Sequence, residues 1–267
     1  MSFSCVAPSR PTVGIIGFGA FGRLVARYLA PHLALCAYDP HPPEPGVPTY
    51  GARLTGLVEA ARCPVVILAV PVSVTAEAVA MIAPHLRPGT LVVDVGSVKM
   101  LPVEQMRAGL PADVEILGTH PLFGPQSAAD ALDGLKIAVC PVRGRRGRRA
   151  AAFLRKVLKL RVVVTTPEAH DREAAAVQGL THLIARVLVA MEPLPSQMTT
   201  RSFSLIMQAV GMVRHDAAQV FEAIERSNPF AAEVRRRFFS LAAEIDADLT
   251  RVDDGSAPFE ALRTTSA

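Results

Sequence analysis

The sequence predicts an α/β chain in two parts, a doubly wound parallel sheet followed by an all-helical second domain. Three observations carry this. Short continuous apolar runs (TVGIIG at 12–17, VVILAV at 65–70, TLVVDV at 90–95) read as strands, the latter two buried on both faces, with helix-period segments between them. A glycine turn, Gly17-Phe18-Gly19-Ala20-Phe21-Gly22, joins the first strand to the first helix. From Pro167 onward the apolar spacing is helical and no strand pattern recurs. The expected division is residues 1–165 for the sheet domain and 166–267 for the helical domain.

The first strand, glycine turn and helix occur in the order that makes G-x-G-x-x-G informative: it is weak evidence alone and strong between a strand and a helix. Gly17 permits the tight turn, Gly19 lets the backbone approach a pyrophosphate, and Gly22 lets the helix pack on the strand. The helix N-terminus offers unpaired N–H groups to phosphate. Residues Gly17 to Gly22 are therefore candidate cofactor ligands of a Rossmann-type domain. The second strand, Leu33 to Tyr38, ends at Asp39, 22 positions after Gly17. A carboxylate there accepts bonds from ribose hydroxyls and repels a 2′-phosphate, which favours NAD and leaves NADP as the alternative. The competing reading of Asp39 is a turn residue before Pro40.

The next strand ends at Val70-Pro71, followed by a helix over Thr75 to Ile82, and the strand at 90–95 ends at Gly96-Ser97-Val98-Lys99. Val70, Pro71 and Ser97 thus fall at carboxyl strand ends, where open α/β sheets bind ligands. Ser97 is a site candidate; Lys99 is a weaker one, since a solvated lysine at a helix start is common. After Val114, Ile116 and Leu117 comes Gly118-Thr119-His120-Pro121-Leu122-Phe123-Gly124-Pro125, expected to be a stiff loop presenting the His120 imidazole. Further strands are expected at Leu135–Cys140 and Arg161–Thr165. Helices are expected at Glu168–Met191, Gln197–His215, Ala217–Ser227 and Pro229–Leu249, followed by a frayed polar tail.

Composition narrows the function. The net charge of +4 is concentrated in Arg143, Arg145, Arg146, Arg148 and Arg149. This run reads as a solvated loop and not a nucleic-acid surface, because no aromatic is interleaved and the chain has no Trp. No uninterrupted apolar run reaches 18 residues, so no membrane span is expected, and the first ten residues do not resemble a secretory signal. Cys5, Cys36, Cys63 and Cys140 have no metal or redox spacing, so no metal is expected and a reduced, cytoplasmic setting fits. The wide apolar faces of the helical domain predict a homodimer.

Hydride transfer needs the nicotinamide held against a substrate carbon and a group that takes the alcohol proton. An imidazole suits that task because its charge changes near neutral pH. His120 is the candidate; a structural histidine is the competing reading.

GFGAFG, AVP (69–71), DVGSVK (94–99), GTHPLFGP (118–125), HD (170–171) and QGLTH (178–182) together resemble the prephenate/arogenate dehydrogenase family of tyrosine biosynthesis. The resemblance spans nearly the whole chain. It implies oxidative decarboxylation: the C4 hydroxyl carbon gives hydride to NAD(P)+, the ring carboxylate leaves as CO2, and the ring becomes aromatic. It further implies that His120 accepts the C4 hydroxyl proton, that Ser97 helps hold that hydroxyl and His120, and that His182 lines the substrate pocket. Gln178 and Thr181 of the same segment, and Gln126 and Ser127 after Pro125, join as substrate-binding candidates. Arg201 is the candidate for a substrate carboxylate, with Arg214 its rival. Asp216 falls where plant-type members carry an acid that favours arogenate over prephenate, a helix-capping aspartate being the competing reading. The length leaves no room for the fused mutase-like or C-terminal regulatory segments of some relatives, so tyrosine inhibition is expected only at the active site.

The rival readings are another two-domain dehydrogenase of the β-hydroxyacid or imine-reductase type, and a non-catalytic cofactor-binding protein. The first typically uses a lysine of the helical domain, and here no lysine follows Lys159.

Overall fold

The computed structural model describes residues 12–250, so Cys5 and the polar C-terminal tail lie outside the described residues. The sheet domain runs β1 (Thr12–Ile16), α1 (Ala20–Leu29), β2 (Ala34–Tyr38), β3 (Arg53–Leu54), α2 (Leu57–Ala61), β4 (Val65–Leu68) and α3 (Thr75–Ile82). It continues through β5 (Leu91–Asp94), α4 (Met100–Gly109), β6 (Glu115–Pro121), β7 (Lys136–Arg143), α5 (Arg146–Lys156) and β8 (Arg161–Val164). The eight strands form one sheet in the order β3-β2-β1-β4-β5-β6-β7-β8. Strand order reverses between β1 and β4, and that reversal opens the ligand crevice at their carboxyl ends.

The first six strands pair in parallel, whereas β7 runs antiparallel to β6 and β8 parallel to β7. A parallel return needs a crossover of a dozen or more residues, usually a helix. The connection 122–135 contains no helix, so the chain doubles back instead. One buried apolar cluster, including Ile15, Leu24, Leu117 and Val139, lies between the sheet and α1 and α5. A second, including Ile16, Val66, Ile82 and Met106, lies under α2, α3 and α4. Each such side chain contributes about 1.5–3 kcal/mol by leaving water.

Two sequence expectations are corrected here. Gly118 to Pro121 is not a loop but the last part of β6, paired through Thr119↔Val139, His120↔Ala138 and Pro121↔Ile137. β5 stops pairing at Gly118, so residues 119–121 project past it with one edge bonded to β7 and the other facing the crevice. Pro121 is tolerated because it is the strand's last residue. The arginine run is also not simply solvated. Arg143 Nε donates to Val114 O (2.7 Å), and Arg146 Nη1 donates to Pro64 O (2.8 Å) and Gly89 O (2.6 Å). These two guanidiniums tie together the amino ends of the strands, while Arg145, Arg148 and Arg149 are exposed.

Beyond β8 the chain is helical. α6 (Pro167–Ala174), a π-turn (Ala175–Gly179) and α7 (Leu180–Ala190) make one continuous helix, followed by α8 (Arg201–Val213), α9 (Ala218–Glu222), a second π-turn (Ala223–Ser227) and α10 (Ala231–Thr250). Thr166 caps α6 by accepting from Ala169 N at 3.1 Å, with Pro167 in its first turn. The helix 167–190 is, by length and composition alone, apolar enough to cross a membrane. Its buried side carries His170, Asp171 and His182, however, and applies His170 and Asp171 to the sheet domain.

Candidate active site

The glycine turn behaves as its sequence requires. Gly17 has φ +91°, and a Cβ on it would lie 2.5 Å from Ala69 O. A Cβ on Gly22 would lie 2.2 Å from Gly17 O, whereas one on Gly19 would meet nothing within 4 Å. Gly17 and Gly22 are thus demanded by the chain's own packing, and the open space over Gly19 is room for a ligand. No acidic residue occupies the first turn of α1, and no side chain caps it, so its N–H groups remain available to an anion. Asp39 closes the turn: Oδ2 accepts from Phe18 N (2.6 Å) and Oδ1 from His41 N (2.8 Å). Phe18 is fully buried, Ala20 begins α1, and Phe21 packs half-buried on the core. Val70 and Pro71 follow β4 beside the turn, Val70 Cγ1 lying 2.9 Å from the position of a Gly17 Cβ. These residues fit a dinucleotide.

His120 is buried, 4 % exposed, on the projecting end of β6. Its Nδ1 is 2.8 Å from His170 Nε2, and His170 Nδ1 is 2.7 Å from Asp171 Oδ1. Asp171 also accepts from the backbone N–H groups of Lys99 (2.7 Å) and Met100 (2.8 Å) at the start of α4. On the other side of the ring, Gln178 Nε2 lies 3.4 Å from His120 Nε2. Burial pushes the His120 pKa well below the usual imidazole value, helped by the neighbouring His170 and the positive charge of Lys99.

Lys99 is fully buried, and its ammonium bonds the Asp94 carboxylate and Thr119 O. It is a strut between β5 and β6 under the site and not the solvated lysine of the competing reading. Ser97 sits half-buried in the turn between β5 and α4, at the same sheet edge. Among the described residues its hydroxyl has no hydrogen-bond partner, so it is free for a ligand.

His182 follows Gln178 by four positions and so shares its helix side. It is buried, with Nε2 3.9 Å from Asp216 Oδ2. Burial lowers the His182 pKa, opposed by the Asp216 and Glu225 charges. Burial likewise raises that of Asp216, opposed by His182. Asp216 is not in a helix and caps none: it lies in the turn between α8 and α9, whose N-cap is Ala217.

The other candidates are not drawn in. Thr181 Oγ1 donates to Val177 O (2.7 Å) on the exposed side of the helix, because a threonine hydroxyl readily bonds back one turn. Ser127 is exposed, and its Oγ accepts from Gly124 N (3.0 Å) in a local turn; Gln126 beside it is exposed. Arg201 is exposed at the start of α8. Its rival Arg214 pairs with Glu192 at 3.0 Å. The sequence reading gave no role to His170 and Asp171. The adjacent His-Asp pair in the first turns of a helix was the visible signal; what it faces, 50 positions away, was not.

Fold and site together define a two-domain, dinucleotide-binding class of protein, with a buried imidazole between the Rossmann-type sheet and the helices. Residues 51–166 match the nucleotide-binding domain of prephenate dehydrogenase. The chain is 30 % identical over 244 residues to arogenate dehydrogenase 1, chloroplastic, of Arabidopsis thaliana, covering 86 % of this chain and 38 % of that protein. It is 30 % identical over 238 residues to arogenate dehydrogenase 2 of the same plant, covering 84 % of this chain and 66 % of that one. It therefore spans only part of these relatives' length. The fold superposes on prephenate dehydrogenase of Aquifex aeolicus in complex with hydroxyphenyl propionate and NAD+, with a TM-score of 0.71, 20 % identity and 92 % of each chain covered. The chain belongs to the prephenate/arogenate dehydrogenase family.

Proposed function

We propose that the chain oxidises and decarboxylates L-arogenate to tyrosine, prephenate to 4-hydroxyphenylpyruvate, or both, with NAD+ as acceptor. The observation that carries this reading is His120, an imidazole kept neutral by burial at the carboxyl edge of the sheet, between the glycine turn and the Gln178–His182 side of the helical domain. A bound NAD+ supplies the nicotinamide that takes hydride from the ring carbon bearing the hydroxyl. The chain's own residues do the rest. Gly17 to Gly22 and the start of α1 would hold the pyrophosphate and Asp39 the ribose, with Val70 and Pro71 beside the turn. His120 Nε2 accepts the hydroxyl proton as the carbonyl forms; CO2 leaves with its bonding electrons entering the ring, and the resulting phenolate oxygen takes the proton back from His120. Ser97 steadies the hydroxyl, and Arg201 is assigned to a substrate carboxylate.

Asp216 beside His182 supports arogenate as the preferred substrate, since a carboxylate there attracts an ammonium group and repels a keto acid side chain. Asp39 supports NAD over NADP. The experiment is the rise of NADH absorbance when arogenate or prephenate is added with NAD+ or NADP+; no reduction with either substrate sinks the reading.

The apolar residues Val177, Ile184, Val187 and Met191 stand exposed on the outer side of helix 167–190, with Leu205 and Ile206 on α8. A second copy of the chain is the proposed cover, forming a homodimer through the helical domain.

A further inference from the structure

We infer that His170 is a positioning residue for the His120 base: held by Asp171, it keeps the His120 proton on Nδ1 and leaves Nε2 bare toward the substrate. This rests on the reading of His120 as proton acceptor given above. The argument starts at Asp171, whose side chain accepts two backbone N–H bonds from Lys99 and Met100 and is completely buried. An ionised carboxylate has acceptors only, so the 2.7 Å contact with His170 Nδ1 needs the proton on that nitrogen. A neutral His170 then has a lone pair on Nε2, and the 2.8 Å contact with His120 Nδ1 needs the proton on His120. A neutral imidazole carries one proton, so His120 Nε2 is the free base.

Against a neutral His170, the opposite His120 tautomer would set two lone pairs against each other inside a buried site. The rings meet edge-on, with 5.0 Å between centroids and 68° between planes, an arrangement open to an N–H···N bond and unlike a stack. The Gln178 amide, 3.4 Å from His120 Nε2, can donate to that lone pair.

The relay also matters after the proton arrives. His120 then carries a positive charge close to Lys99, a burden reflected in the direction of its pKa shift. Its Nδ1–H points at His170, which is backed by the Asp171 carboxylate, so the new charge meets an oriented acceptor. The charged and titratable groups around the ring are Lys99 before α4 with its partner Asp94 on β5, and His170 with Asp171 on α6. Asp171 also anchors the start of α4, two residues beyond Ser97.

The test is made on the full chain labelled with 15N-histidine, with His120 assigned by its disappearance in His120→Asn. Wild type should show His120 protonated at Nδ1 and bare at Nε2. In His170→Leu the tautomers should mix, kcat should fall by about 10- to 100-fold, the acid limb of the kcat profile should move, and the KM for NAD+ should stay within about threefold. His170→Gln, which restores an acceptor opposite His120 Nδ1, should recover at least about tenfold of the lost rate. Three outcomes overturn the inference: a wild-type His120 protonated at Nε2, a Leu variant with unchanged tautomer and rate, or Leu and Gln variants that fall equally with unmoved pH profiles. If the Leu variant fails to fold, the wild-type and Gln spectra still decide the tautomer. If wild type turns over neither substrate, the activity reading fails while the spectra still decide the role of His170.

Discussion

An imidazole with 4 % of its surface exposed loses most of its hydration when it becomes charged, so His120 stays neutral at pH values where a free histidine is half-protonated. A neutral base is the active form, and the acid limb of kcat/KM for the free enzyme should therefore fall well below pH of about 6.5. A limb at or above that value would contradict the assignment. Replacing the ring by an amide in His120→Asn should lower kcat by about 10²- to 10⁴-fold and leave NAD+ binding, read by fluorescence titration, unchanged. Asp216→Asn removes the charge beside His182. The ratio of kcat/KM for arogenate over prephenate should drop by about tenfold, equivalent to about 1.4 kcal/mol of discrimination. An unchanged ratio removes Asp216 from substrate choice. At this scale the fold brings Gln178 to His120 and Asp216 to His182, pairs that the sequence named one by one and could not join. The Thr181 and Ser127 hydroxyls instead bond to backbone within their own turns.

The glycine turn shows two different uses of glycine within six residues. A Cβ on Gly22 would run into Gly17 O, so Gly22→Ala should lower stability by about 1–3 kcal/mol, read as a lower melting temperature. Gly19→Ala meets open space and should leave the melting temperature unchanged. It should instead weaken NAD+ binding by about tenfold or more, because its methyl enters the pyrophosphate's approach. Equal effects of the two substitutions would refute this division of labour. The strand β6 teaches the complementary lesson. Two prolines and two glycines argue locally for a loop over 118–125, yet pairing with β7 carries the strand through Pro121. A strand's length is decided by the neighbour that offers hydrogen bonds, and β7 lies more than a dozen residues downstream. The arginines at 143 and 146 were misplaced for the same reason, since the carbonyls they bind belong to segments distant in sequence.

At the scale of the whole molecule, the buried histidines link stability to pH. Below about pH 6.5 the unfolded chain takes up protons on His120 and His182 that the folded chain, with both pKa values lowered, does not yet bind. Stability is therefore lost as pH falls, by at most about 1.4 kcal/mol per pH unit for each histidine. Asp216, with its raised pKa, acts in the opposite sense nearer the carboxylate range. The urea midpoint should drop between about pH 7 and about pH 5.5, and His120→Asn should make the drop shallower. The exposed apolar side of the helical domain should be covered in a dimer. Light scattering coupled to gel filtration should report twice the chain mass, and a charge introduced by Val187→Glu should halve it.

The sequence by itself determined the alternation of strands and helices, the glycine turn with Asp39, and the change from sheet to helices between Val164 and Pro167. Each of these is written in periodicity or in residues a few positions apart, which is the range over which backbone preference and side-chain spacing act. Only the tertiary structure decided that β7 runs backward and that Lys99 is a buried strut. It alone decided that Asp171 and His170 stand behind His120. Those facts depend on which groups meet across 20 to 70 residues of chain. The burial that changes their charge states exists only once the helical domain has closed over the sheet edge.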